Sequence, residues 1–291
     1  MRPANIITAI ADILLGYAVS GGVAAALSPA SWPVLRQPEA LAWLVLATIG
    51  LYGGGVVLND AFDADLDRRE RPERPIPSGA VSERAAFLFG MLLLLGGVAA
   101  AAQVSARSAL LAALVAALAA VYDAYGKHHP ALGPFNMSAC RSGNVLLGMS
   151  AGPIPTIGWV VALAPFLYIA AVTMISRGEV TGSDRRPLRR GFALYLTVFL
   201  LVAAVNIAAG GAWPPLLFFL SLFAALVLPP LQQALRTPSG PVVGRAVKAG
   251  ILALIVMDAA LAAPFAGWPY ALLILFLLPL SMAVARFFAV T

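Results

Sequence analysis

The chain has 291 residues, 61% of them hydrophobic and 11% charged, with a mean hydropathy of +0.89 and a formal net charge of +6. A soluble domain carries about 25% charged residues, so this composition cannot cover a water-facing globule and points to an integral membrane protein. The apolar runs are too long and too rich in Ala and Leu for the alternating strands of an outer-membrane barrel, and a single cysteine, Cys140, excludes an intrachain disulfide or a cysteine-based metal cluster.

At about 20 apolar residues per crossing, the sequence predicts helices over 4–27, 40–61, 83–104, 107–124, 135–151, 157–177, 190–209, 213–233, 243–264 and 268–289. The fold class is all-α: a polytopic transmembrane bundle of nine to ten helices, the fifth of them interrupted by Arg141 and Asn144. Arg2 followed by an apolar stretch superficially suits a secretory leader, but Asp12 breaks the stretch and the run to Leu27 is long enough to span. No linker or simple repeat divides the chain, so residues 1–291 read as a single membrane-embedded domain.

Lys and Arg gather in loops on the cytoplasmic side of a membrane. With the N-terminus inside, only Arg36 and Arg107 of the nineteen basic residues fall on the outer side. Both termini and the charged loops at about 61–83 and 177–190 are therefore expected in the cytoplasm, under an inner, cytoplasmic-type membrane. The basic excess is a topology signal, and no nucleic-acid partner is expected.

The densest chemistry lies where the second predicted helix ends, in Asn59-Asp60-Ala61-Phe62-Asp63-Ala64-Asp65-Leu66-Asp67. At about 100° per residue, Asp60, Asp63 and Asp67 fall at roughly 0°, 300° and 340°, Asn59 near roughly 260°, and Asp65 at roughly 140°, on the far side. Three carboxylates on one strip repel one another unless a cation neutralises them, and oxygen-only ligands suit Mg²⁺ better than zinc or a soft metal. Because Mg²⁺ usually shares phosphate oxygens with a substrate, the expected ligand is a phosphate ester, with Arg68, Arg71, Arg74 and Lys127 on the same side of the membrane to meet its charge. One turn earlier, Gly53, Gly54 and Gly55 remove side chains from the helix, which is expected to let a neighbouring helix approach closely. Asp12 and Asp258 are acids inside predicted spans, a costly placement that hints at function or at a buried partner.

Asn59, Asp60, Asp63 and Asp67 resemble the N-D-x-x-D-x-x-x-D motif of the UbiA superfamily of intramembrane prenyltransferases. Arg74-Pro75-Ile76-Pro77-Ser78-Gly79 is similar to that family's R-P-[LI]-P-S-G segment, Arg2, Pro3 and Asn5 to its opening R-P-x-N, and Tyr122 with Lys127 to its Y-x(4)-K. The second family motif, D-x-x-D-x-x-x-D after the sixth helix, is altered: Ser176, Glu179 and Ser183 stand at its positions, with Asp184 displaced by one. Ser176-Arg177-Gly178-Glu179 together with Gly126-Lys127-His128-His129-Pro130 resembles the divergent UbiA-like subgroup called EboC.

The resemblance implies a Mg²⁺-dependent enzyme that ionises a prenyl diphosphate donor and lets the allylic cation alkylate an aromatic or other hydrophobic acceptor, drawn with the donor from the membrane lipid phase. It implies that Asp60, Asp63 and Asp67 hold Mg²⁺ and act catalytically with Lys127, and that Glu179 and Asp184 serve a second ion. Asn59 would be a supporting ligand or a hydrogen-bond donor to the diphosphate, while Arg74, Lys127 and Arg141 would contact the diphosphate and Asn5 and Tyr122 would face the substrate cavity. Two other readings stand beside it: a transporter or lipid-binding permease, and a UbiA-like protein with another phosphorylated donor or with lost catalysis. Transporters place charge near the bilayer midplane, whereas these acids sit at one face.

Overall fold

The structure, a computed structural model, describes residues 3–24, 34–129, 132–177 and 185–286. In chain order the helices are α1 (Pro3–Val19), α2 (Pro38–Phe62), α3 (Ala64–Glu70), α4 (Glu83–Ala102), α5 (Ala106–Ala124), α6 (Leu132–Met149) and α7 (Thr156–Ser176), then α8 (Arg185–Ala208), α9 (Trp213–Arg236), α10 (Gly240–Leu275) and α11 (Leu277–Val284). A two-residue strand β1 (Val23–Ala24) pairs antiparallel with β2 (Val34–Leu35), and a 3-10 turn, Gly126–His128, follows α5.

Among the described residues, seven helical stretches are long and apolar enough to cross a membrane: α2, α4, α5, α7, α8, α9 and the combined stretch Gly240–Val284. The shorter α1 and the more polar α6 bring the bundle to nine, and Gly267, whose φ of 78° is not helical, divides the last stretch into two. The expected nine to ten helices are therefore present. Leu92, Leu95, Leu110, Leu200 and Phe276 stand well exposed on the outside. In water such a surface would associate; in lipid it is the solvated face.

Successive long helices pack side by side from α2 to α10, and α1 closes the arrangement by packing against α2, α6 and α10. The expected first helix ran to residue 27, but α1 ends at Val19. Gly22 N–H donates to the Tyr17 carbonyl (2.9 Å) and Gly21 N–H to that of Ala18 (3.1 Å), with Gly21 at φ 79°. That paired arrangement is a Schellman stop, written in the sequence as Ser20-Gly21-Gly22 and masked by the apolar residues beyond it.

Small residues bring the backbones together. A Cβ on Gly16 of α1 would overlap the Val145 carbonyl oxygen of α6, and one on Gly54 of α2 would lie 2.8 Å from the Gly90 carbonyl of α4. Gly54 in the α2 glycine run is thus a packing position, while Gly55 faces Ala119 of α5 at 3.6 Å. Gly16→Val should force α1 and α6 apart at a cost of about 1–3 kcal/mol, the usual range for overpacking, read as a lower melting temperature in detergent.

The interior also holds a polar knot. Arg141 Nε of α6 lies 3.2 Å from Asp12 Oδ2 of α1, and its Nη2 donates to Thr8 Oγ1 at 3.1 Å. Asn144 Nδ2 donates to Asp12 Oδ2 (2.9 Å) and to the Ala9 carbonyl (2.8 Å), and accepts through Oδ1 from Thr48 Oγ1 of α2 (2.8 Å). Asp258 of α10 is fully buried beside Asp12. Opposite charges inside the spans have found one another, tying α1, α2 and α6 together.

Candidate active site

The acid-bearing segment begins in the last turn of α2. Asp63, at φ −91° and ψ 4°, separates α2 from α3, yet its N–H donates to the Asn59 carbonyl (2.9 Å) and its carbonyl accepts from Asp67 N–H (2.8 Å). The four-residue hydrogen-bond rhythm therefore runs through the break, and the helical phase of the acids survives. One guanidinium shows it directly. Arg74 Nη1 lies 2.6 Å from Asp67 Oδ2 and 3.4 Å from Asp60 Oδ1, so two carboxylates seven residues apart share a side.

Asp63 meets a different cation, the Lys127 ammonium at 2.5 Å. Lys127 stands in the 3-10 turn after α5, which lies against α6 at Gly126, where a Cβ would press on the Asn136 amide at 2.8 Å. Asp65 behaves oppositely. Its side chain is 89% exposed and pairs with Arg68, whereas that of Asp67 is 5% exposed. Arg74 is presented by a loop of turns, with Arg74 N–H donating to the Arg71 carbonyl, Ser78 N–H to that of Arg74, and Gly79 at φ 79° closing it. Beside the acids lies a cavity of about 320 Å³, polar at Asp60, Asp67 and Arg74 and apolar at Val57, Ile76 and Phe89.

Asp123, in the last turn of α5, went unremarked in the sequence. Its Oδ1 accepts from Asn59 Nδ2 at 3.1 Å, and the residue is 4% exposed. Its signal was an acid closing an apolar run four residues before Lys127, on the same end of the bundle as the acid strip.

The structure thus assembles Asn59, Asp60, Asp63, Asp67, Arg74 and Lys127. Tyr122 is half-buried on α5, next to Asp123, and Asn5 is buried near the start of α1, where its carbonyl accepts from Thr8 Oγ1 at 2.8 Å. Arg141 is not brought to the acid strip; its guanidinium is engaged by Asp12 and Thr8 in the interior. Glu179 and Asp184 lie outside the described residues. Ser176, at the head of the altered motif, donates its hydroxyl to the Thr173 carbonyl at 2.9 Å. Among the described residues no three acidic or imidazole side chains converge into a ready-made cation cage, because Arg74 and Lys127 stand between the carboxylates.

Comparison with known proteins places this geometry. The family model described as the UbiA prenyltransferase family matches residues 14–240. The chain belongs to the UbiA prenyltransferase family. A relative called digeranylgeranylglyceryl phosphate synthase, from Halobacterium salinarum, is 30% identical over 224 residues, 76% of this chain and 77% of the relative. Among solved structures, a UbiA homologue from Aeropyrum pernix K1 superposes with a TM-score of 0.71 at 20% identity, covering 89% of this chain and 98% of that one. A UbiA homologue from Archaeoglobus fulgidus bound to GPP and Mg²⁺ gives 0.57 at 17% identity, over 90% and 99%. With its seven long apolar helices, this UbiA protein is an integral membrane prenyltransferase.

Proposed function

We propose that the chain transfers an isoprenoid group from a prenyl diphosphate to a lipophilic acceptor, with Asp60, Asp63 and Asp67 as the divalent-cation end of the site. The observation that carries this is a cavity lined by Asp60, Asp67 and Arg74 together with the apolar Val57, Ile76 and Phe89, while Asp63 of the same strip pairs with Lys127. A donor with a charged head and a hydrocarbon tail needs both surfaces at once.

The donor set fits Mg²⁺. The side chains of Asp60, Asp63, Asp67 and Asn59 offer oxygen ligands, with neither thiolate nor imidazole in the group, and hard cations choose that chemistry. Bound Mg²⁺ would neutralise the diphosphate and ease departure of the leaving group. Arg74 pairs with Asp60 and Asp67 and Lys127 with Asp63, which relieves the repulsion among the carboxylates at the end of α2. The same two cations would meet the phosphate oxygens of a donor, Arg with a planar fork and Lys with a point charge. The C1–O bond breaks with its electron pair passing to the diphosphate, and the acceptor's nucleophilic atom takes C1 and releases a proton. Water must be kept from the allylic cation meanwhile, a task for Val57, Ile76 and Phe89.

For the acceptor, the relative's name points to a glyceryl phosphate lipid, and the apolar wall equally admits a phenol with a hydrophobic body. The altered motif around Glu179 and Asp184 is assigned to a second, weaker cation position. The inferred setting is an inner, cytoplasmic-type membrane, with the acid strip, both termini and the loops at 61–83 and 177–190 on the cytoplasmic side and the whole chain acting as one domain. The distribution of Lys and Arg supports that orientation.

The test is purified full-length protein in detergent with Mg²⁺, a panel of prenyl diphosphates, and either a prenylated glyceryl phosphate or a phenolic acid as acceptor. Diphosphate release coupled to a covalent product, abolished by EDTA and restored by Mg²⁺, is the expected outcome. Release indifferent to EDTA, or solute movement into liposomes without any product, would overturn the proposal.

A further inference from the structure

Asn59, in the last turn of α2, and Asp63, at the break that follows it, are joined by the hydrogen bond from Asp63 N–H to the Asn59 carbonyl and face the same neighbour. Asp123, in the last turn of α5, and Lys127, in the 3-10 turn after it, are four residues apart. The two pairs form two rungs between the helices: Asn59 Nδ2 donates to Asp123 Oδ1 at 3.1 Å, and Lys127 Nζ donates to Asp63 Oδ1 at 2.5 Å. The polarity reverses from one rung to the next, with Asn59 the donor in the first and Lys127, just past α5, the donor in the second.

The first rung has a peculiarity. An aspartate at this position adds negative charge to a neighbourhood that already holds Asp60 and Asp63, and its second oxygen, Oδ2, is buried with no hydrogen-bond partner. A buried polar atom left unpaired costs about 1–3 kcal/mol. If the contact served only to join α2 to α5, a small neutral acceptor would do so at lower cost. What Asp123 supplies to Asn59 is an oxygen, Oδ1, that accepts from the side-chain amide at 3.1 Å. Facing it, the Asn59 amide must present its NH₂, which leaves Oδ1 turned away from Asp123. A side-chain amide not held in this way rotates between two faces, and one of them offers a cation two N–H groups.

We propose that Asp123 is a positioning residue: by accepting from Asn59 Nδ2 it fixes the amide so that Asn59 Oδ1 is the atom offered to the divalent cation. The inference rests on the cation role given above to the acid strip. Outer-shell partners of this kind change metal affinity by about 10–100-fold when removed.

The experiment titrates detergent-solubilised full-length protein with Mg²⁺ alone, by isothermal calorimetry and by the Mg²⁺-dependent rise in melting temperature, so that no turnover enters the readout. Asp123→Ala should raise the half-saturating Mg²⁺ concentration by about 10-fold or more. The paired exchange Asn59→Asp with Asp123→Asn rebuilds the rung with donor and acceptor swapped and keeps an oxygen toward the cation. It should stay within about threefold of the wild type. If Asp123→Ala lowers the metal-free melting temperature but keeps the wild-type half-saturation, the carboxylate is a packing contact and the inference fails. Should Asp123→Ala not fold, the paired exchange decides: a folded variant with Mg²⁺ binding weakened about 10-fold would overturn the assignment. Asp60→Ala and Asp63→Ala run alongside; if neither alters Mg²⁺ binding, it is the acid-strip reading that has failed, not the role of Asp123 alone.

Discussion

Asp60→Ala and Asp63→Ala should each lower Mg²⁺-dependent diphosphate release by about 10²–10³-fold, the loss that follows removal of one preorganised electrostatic partner from a developing charge. Neither change should unfold the protein. Without Asp60, Arg74 keeps its closer contact to Asp67; without Asp63, Lys127 still has the acid Asp123 near it. The deficit should fall on kcat rather than KM, because each substitution removes an anion from the site and so favours binding of an anionic donor. Asp65→Ala is the control, and should stay within about twofold, since its exposed ion pair with Arg68 is worth little. Steady-state kinetics on the three variants, with circular dichroism and melting curves for each, distinguishes this from a general loss of structure. Equal activity in all three would remove the acid strip from the chemistry.

The acid strip was legible because its information is local. The separations from Asp60 to Asp63 and Asp67 fall on one helical face, and Asp65 falls off it, so periodicity alone sorted the four acids into three and one. Most of the helices were legible for the same reason, as continuous apolar runs, with α6 the exception because Arg141 and Asn144 interrupt it. What periodicity does not encode is which faces meet. Asp123 bonds to a residue 64 positions away, and Arg141 to one nearly the whole length of the first half away. The family resemblance implied that Arg141 contacts the diphosphate. The sign of charge offered a better guide: Asp12 and Arg141 are opposite charges each set within a predicted span, where an unpaired charge is costly enough that two such residues seek each other first. The early end of α1 failed for a different reason. Hydropathy reports where lipid is tolerated, and Val23 and Ala24, apolar residues just after Gly22, form a strand instead.

The polar knot carries the largest expected effect on stability. Arg141→Leu should lower folding stability by about 3–5 kcal/mol, because removing one member of a buried ion pair strands the other. Asp12 would keep its hydrogen bond from Asn144, but its carboxylate, 0% exposed, would lose its cation, and the equally buried acid Asp258 lies beside it. Thr8 would lose its donor from Arg141 as well, loosening α1 near Asn5. The cost belongs to the stranded charge rather than to the missing contact, so removing that charge should recover much of it: the double variant Asp12→Leu with Arg141→Leu is expected to melt closer to the wild type than Arg141→Leu alone. Melting temperatures in one detergent, with donor binding measured on the same samples, test both halves. An Arg141→Leu protein that melts normally yet fails to hold a prenyl diphosphate would return the guanidinium to the donor site, where the family resemblance had placed it, and would mean that the knot rearranges when substrate arrives.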